Sequence, residues 1–127
     1  EKNGKILSNK IFEILKNISD FNLTLMSIKI NKRNPTKKIS SSIDEKKCIN
    51  KNIIIVDDVL NTGSTLIYAV KHFLKIPVKK IQTAVIINRN HKKFPVKADF
   101  KGISLSTSIK EHVDVILEGS KQGIYLS

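Results

Sequence analysis

Residues 53–65 read IIIVDDVLNTGST, and the fold turns on this stretch. Ile53, Ile54, Ile55 and Val56 are β-branched and apolar, the make-up of a short strand buried on both faces, as in parallel sheets. Two carboxylates, Asp57 and Asp58, follow at once, and then a loop of Asn61, Thr62, Gly63, Ser64 and Thr65 clusters hydroxyls around one glycine. Leu66, Ala69, Val70, Phe73 and Leu74 recur at helical spacing, which predicts a helix over 64–75 that Pro77 stops.

In a parallel α/β sheet, ligands sit beyond the carboxyl ends of the strands, and the acids are expected at such an end. The helix start offers unpaired N–H groups and the positive end of a helix dipole. Gly63 lets backbone approach a ligand closely, while Thr62, Ser64 and Thr65 add hydroxyl donors. The result is an anion cradle. Two acids beside it would repel a bare phosphate. They suit a ligand that carries both a phosphate and vicinal hydroxyls, such as a sugar phosphate. A plain strand end, turn and helix cap competes, with Thr62 or Ser64 as the cap. A nucleotide-triphosphatase Mg²⁺ strand would need a G-x-x-x-x-G-K-[ST] loop, which the sequence lacks. A receiver-domain phospho-acceptor strand leaves the glycine–hydroxyl cluster unexplained.

Outward from this core, Ile6, Leu7, Ile11, Ile14, Leu15 and Ile18 predict an amphipathic helix over 5–18. Residues 23–30 read as a strand, and 31–42, basic and broken by Pro35, as a long loop of the functional kind. A solvated basic loop is the plain alternative. Residues 80–89 are a second buried strand. Residues 91–108 form a loop with a short extended piece, and 112–118 and 123–127 are two late strands. Strands alternating with helices predict an α/β fold in three layers, a mainly parallel twisted sheet flanked by helices, within one domain over 1–127. A helix opens the chain where such domains usually start with a strand, so a first strand is expected ahead of it.

Composition narrows the class. At 40% hydrophobic the chain can build a core and is too apolar for a disordered segment. No run reaches the ~18–20 apolar residues of a membrane span, and the N-terminus lacks a secretory apolar region. One cysteine, Cys48, points to a reducing cytoplasm rather than a disulfide framework. The net charge of +12 would attract phosphate-bearing partners, RNA among them. Yet Arg33 and Arg89 are the only arginines among many lysines, which fits a coding bias as well as a functional field.

The 53–65 stretch closely resembles the phosphoribosyl-diphosphate (PRPP) motif of type I phosphoribosyltransferases: an apolar run, two acids and a T-G-[ST]-T loop. Residues 85–108, VIINRNHKKFPVKADFKGISLSTS, are similar to a segment of the pyrimidine operon regulators, which are bifunctional uracil phosphoribosyltransferases. The likeness covers about residues 4–127, and those relatives carry an additional N-terminal helix and first strand. It implies that Asp57 and Asp58 hold the ribose hydroxyls of PRPP and that Asn61, Thr62, Gly63, Ser64 and Thr65 bind its 5′-phosphate. Asn3 and Gly4 would sit in a loop touching the pyrophosphate. Lys32 or Arg33, on the flexible loop, would cover that leaving group, and Arg89 and His91 would lie near the base. Catalysis would rest on Asp57, Asp58, Lys32 and Arg33. Mg²⁺ would travel with PRPP and have no protein ligand of its own.

The resemblance further implies transfer of a phosphoribosyl group to a nucleobase, uracil by preference, with release of pyrophosphate. It also implies a cytoplasmic homo-oligomer with no membrane partner. A nucleotide-sensing RNA-binding regulator of pyrimidine genes is the second reading, and a pseudoenzyme the third. The sequence departs from the family at Asn61, where an aromatic is usual, and at Ser64, where Arg is usual. Asn88 stands for Asp, Asn90 for Gly and Ile103 for a basic residue, and the loop reads NKRNP in place of Tyr-Arg-Asp-Asp. These changes fall on base choice and RNA contact more than on the acid pair.

Overall fold

The computed structural model describes residues 2–127. In chain order the elements are α1 (Lys2–Ile18), β1 (Ile28–Lys29), β2 (Ser40–Ser41), a 3-10 turn (Glu45–Cys48), β3 (Asn52–Leu60), α2 (Ser64–Phe73), β4 (Lys80–Arg89), β5 (Phe100–Leu105), β6 (Val113–Ile116) and β7 (Gly123–Leu126). The centre is a parallel sheet in the order β3-β4-β5, flanked by the two helices. Asn52 pairs with Lys80 and Leu60 with Asn88, while Ala84 pairs with Phe100 and Arg89 with Leu105. The α/β fold expected from the sequence is the fold observed.

Burial explains the arrangement. Ile55 and Val85 from the sheet close on Leu66, Ala69 and Phe73 from α2, with Ile30 sealing one side. Each of the larger of these side chains contributes about 1.5–3 kcal/mol by leaving water. A second cluster joins Ile87 to Val113 and Val115, which fastens the antiparallel β6–β7 ribbon to the sheet. α1 lies along β3 and touches it most closely at Gly4, where an added Cβ would meet Asp57 Oδ1 and the Val56 carbonyl, each at 3.5 Å. No helix of the described residues is long and apolar enough to cross a membrane.

Several boundaries differ from expectation. β3 does not end at the acids. It runs on to Leu60, so Asp57 and Asp58 sit inside the strand, although pairing with β4 lapses at Asp58. α1 begins at Lys2, which puts Asn3 and Gly4 in a helical first turn rather than a loop. The strand expected over 23–30 shrinks to Ile28–Lys29, because its partner is the two-residue Ser40–Ser41 from the supposed loop. α2 stops at Phe73, with Leu74 as its C-cap. The short extended piece within 91–108 is a full third strand, β5. Asp99 locks it in place: its carboxylate accepts from Thr83 N at 2.9 Å, and its own N–H donates to the Thr83 carbonyl at 3.0 Å.

Candidate active site

The carboxyl end of β3 and the first turn of α2 face a cleft of about 340 Å³. Asp57, Asp58, Asn61, Thr62, Gly63, Ser64 and Thr65 all line it, together with Lys32, Arg89 and His112. The motif residues singled out in the sequence therefore line one cleft.

The acids are fixed by local backbone. Asp57 Oδ1 accepts from Asp58 N at 3.0 Å, and Asp58 Oδ1 accepts from Val59 N at 2.9 Å. Asn3 adds a third tie: its Nδ2 donates to Asp58 Oδ2 at 3.0 Å and to the Val115 carbonyl at 2.8 Å. One amide thus joins α1, β3 and β6. Burial pushes the Asp57 carboxyl up to about 6, and the neighbouring Asp58 charge adds to this, against a smaller pull from Lys32. Burial also acts on Asp58, but the Asn3 amide, the contact with Asp57 and the Val59 N–H outweigh it and hold Asp58 below the usual carboxylate range. The pair is therefore asymmetric: Asp58 stays ionised in weak acid, where Asp57 takes up a proton.

The loop has its own geometry. Gly63 adopts φ +87 at the N-cap of α2, and a Cβ there would fall 2.6 Å from Val96 Cγ1. Only glycine suits both the left-handed backbone and that contact. Thr62 Oγ1 accepts from Ser64 N at 3.2 Å, and the first helical bond is Ile67 N to the Gly63 carbonyl at 2.9 Å. The N–H groups of Thr65 and Leu66 have no intrahelical acceptor, so they are left for an anion. A brace from the segment after β4 holds the loop from outside. Lys93 N and Phe94 N donate to the Thr62 carbonyl at 2.8 and 3.2 Å, and Phe94 meets the Tyr68 ring edge-on with centroids 6.3 Å apart.

The remaining expected residues divide. Lys32 reaches the cleft, whereas the Arg33 side chain is not part of its lining. Arg89 lines the cleft, but its guanidinium is engaged within the protein. Nε donates to Thr107 Oγ1 at 2.9 Å, and Nη2 donates to the carbonyls of Ser108 and Glu111 at 3.2 and 2.9 Å. Its visible job is to hold residues 107–111 against the sheet. His91 sits beside Thr107, with Nε2 3.3 Å from Oγ1, and is not part of the cleft lining. His112 lines the cleft and was not singled out by sequence. Its backbone pairs with Ser127 and its Nε2 lies 3.1 Å from Asp114 Oδ1, partners set by the ribbon rather than by any local motif. A second groove of about 460 Å³, lined by Asn88, Asn90, Lys92, Ser104 and Ser106, adjoins the cleft through Arg89. Among the described residues no three or more His, Cys, Asp or Glu side chains gather closely enough to hold a metal.

Comparison with known proteins agrees with this geometry. The family described as "Phosphoribosyl transferase domain" matches residues 1–118. A protein named "Bifunctional protein PyrR" from Leuconostoc citreum is 31% identical over 122 residues, which is 91% of this chain and 70% of that protein. Its namesake from Caldicellulosiruptor bescii is 43% identical over 70 residues, 54% of this chain and 38% of that protein, so the chain spans only part of these relatives. Among solved structures, a hypoxanthine phosphoribosyltransferase from Staphylococcus aureus superposes with a TM-score of 0.63 at 19% identity, covering 80% of this chain and 58% of the other. A hypoxanthine-guanine phosphoribosyltransferase from Bacillus anthracis gives 0.64 at 20% identity, covering 84% and 62%. At such identity the two structures speak for the fold. From the matched family and the relative aligned over 91% of this chain, the chain belongs to the phosphoribosyltransferase domain family.

Proposed function

We propose that the protein transfers a 5-phosphoribosyl group from PRPP to a nucleobase, with uracil the first candidate acceptor. The observation that carries this is the single cleft in which an acid pair and an open helix N-terminus face the same space. Carboxylates accept from vicinal hydroxyls, and free amides donate to a phosphate, so one sugar phosphate satisfies both walls. Uracil comes from the resemblance to the pyrimidine operon regulators. The structural likeness to enzymes named for hypoxanthine leaves a purine as the competitor.

The chain's own groups account for the chemistry by positioning and charge. Asp57 and Asp58 fix the ribose, the 61–65 loop fixes the 5′-phosphate, and the anomeric carbon is held where an acceptor nitrogen can reach it. Lys32 places an ammonium beside the acids, suited to the charge that develops on the departing pyrophosphate. Two carboxylates supply hard oxygen donors of the kind Mg²⁺ favours but too few for its shell, so the ion fits here as one carried by the diphosphate. When bound, it neutralises that diphosphate. Incubation with PRPP, Mg²⁺ and each base in turn tests the reading. Nucleotide and pyrophosphate should appear with one base, and their absence with every base would refute it.

The alternative, a nucleotide-sensing RNA-binding regulator of pyrimidine genes, draws on the +12 charge and on Lys92, Lys93, Lys97 and Lys101, all exposed. It uses the same cleft as a sensor and needs no turnover.

A further inference from the structure

Four polar side chains are buried among the described residues: His72, Thr83, Arg89 and Thr107. Thr83 anchors β5, and Arg89 with Thr107 anchors residues 107–111. His72 has no such part in the site. It sits in the last turn of α2 at 7% exposure, with Nε2 3.0 Å from Glu45 Oε1. The ring nitrogen is shut off from solvent and makes no well-aligned hydrogen bond, so its tie to Glu45 is a close contact between a ring and a carboxylate.

Glu45 is in turn tied to the hairpin. Its Oε1 accepts from Ser41 Oγ at 2.8 Å. Ser41 pairs with Ile28, and just below them Ser42 N donates to the Ser27 carbonyl at 2.8 Å. Strands of two residues do not hold a hairpin by themselves. The loop of this hairpin is what brings Lys32 into the cleft beside Asp57. α2 thus begins at the phosphate loop and ends at a contact with the base of the hairpin.

We propose that Glu45 and His72 are positioning residues, a clamp between the last turn of α2 and the hairpin that sets where Lys32 stands relative to Asp57. One rigid helix then fixes both the phosphate loop and the covering loop, so the distance between the two walls of the cleft does not depend on the weak hairpin alone. His72 and Glu45 touch no substrate in this arrangement. They act through Ser41 and the hairpin.

The apo protein tests this through per-lysine acylation with an amine-reactive ester, read by mass spectrometry. Glu45 is partly exposed, so Glu45→Ala opens the site to solvent rather than leaving an enclosed cavity. It should raise Lys32 acylation about tenfold, the loss of one charge-assisted hydrogen bond from Ser41, with Lys101 and Lys110 unchanged. His72→Phe, which fills the buried volume without a ring nitrogen, should raise Lys32 acylation too, but by less, because the Ser41–Glu45 bond stays in place. Glu45→Gln keeps an acceptor for Ser41 and His72 and should restore the wild-type pattern. Unchanged Lys32 reactivity in folded Glu45→Ala, or an equal rise at every lysine, overturns the clamp. A second arm rests on the phosphoribosyl reading: Glu45→Ala should weaken PRPP binding and leave ribose 5-phosphate, which lacks the diphosphate, bound as in wild type. Equal weakening of both ligands counts against the clamp. If the wild-type protein binds neither ligand while Glu45→Ala still shows the Lys32 shift, the phosphoribosyl reading is refuted and the clamp stands.

Discussion

At Asp57 and Asp58 the same surroundings move two neighbouring carboxyls in opposite directions, and the signs give distinct pH behaviour. The Asp57 pKa is raised from 3.8 to about 6 in the fold, so its contribution to stability is fully present below 3.8 and is lost as pH rises through about 6. Asp57→Asn should therefore stabilise the unliganded protein at pH 7.5, by about 1–3 kcal/mol, and hardly change it near pH 4. Asp58 has a lowered pKa, so its contribution is present above 3.8 and is lost as pH falls through the lower folded value. Asp58→Asn should destabilise at pH 7.5, since it leaves the Asn3 amide and the Val59 N–H without their charged acceptor. Urea melts of both variants at the two pH values check this, and a shared sign at pH 7.5 would contradict it. The acids were legible in the sequence because a run of β-branched residues ending in two carboxylates is a local pattern. Asn3 and Arg89 were named only through the family resemblance, and His112 was not singled out. The ties that Asn3 and Arg89 make here reach partners 55, 112 and 18 residues away, Asn3 with Asp58 and Val115 and Arg89 with Thr107, which no local pattern shows.

Among the elements, the phosphate loop and its outer brace form one unit. Gly63→Ala should cost about 1–2 kcal/mol from the left-handed φ alone. Contact with Val96 Cγ1 would add to this. In a Val96→Ala background the contact is gone and only the backbone cost is left, so Gly63→Ala should destabilise Val96→Ala by less than it destabilises the wild type. Denaturant midpoints of the four proteins give the two costs, and equal costs would contradict the contact. The helix over α2 could be read from its apolar spacing, whereas β5 could not. Its side chains from Phe100 to Ser104 are all exposed, so no alternation marks a buried face, and its register depends on the non-local Asp99–Thr83 lock. The hairpin was hidden for a similar reason. Two residues of Ile-Lys paired with two serines carry no strand signal. Lys32→Ala, at the tip that this hairpin presents, should weaken PRPP binding more than ribose 5-phosphate binding. Calorimetric titration of the two ligands would show that difference, and equal losses would move Lys32 away from the pyrophosphate.

For the molecule as a whole, the family and the α/β fold were legible because motif, strand and helix occupy one contiguous stretch. The choice between enzyme and regulator depends on surfaces that no local pattern fixes. The charge of +12 permits RNA association, and the regulator reading predicts a steep salt dependence. If three phosphates are contacted, log affinity for single-stranded RNA should fall against log salt with a slope of about −2. A flat response in filter binding would remove RNA as a partner. The most direct test of the central claim is a crystal structure with PRPP and Mg²⁺ bound. The ribose hydroxyls should lie within hydrogen-bond distance of Asp57 and Asp58, with the 5′-phosphate on the amides of Thr65 and Leu66. A ligand lodged in another part of the molecule, or an empty cleft at saturating PRPP, would contradict the account.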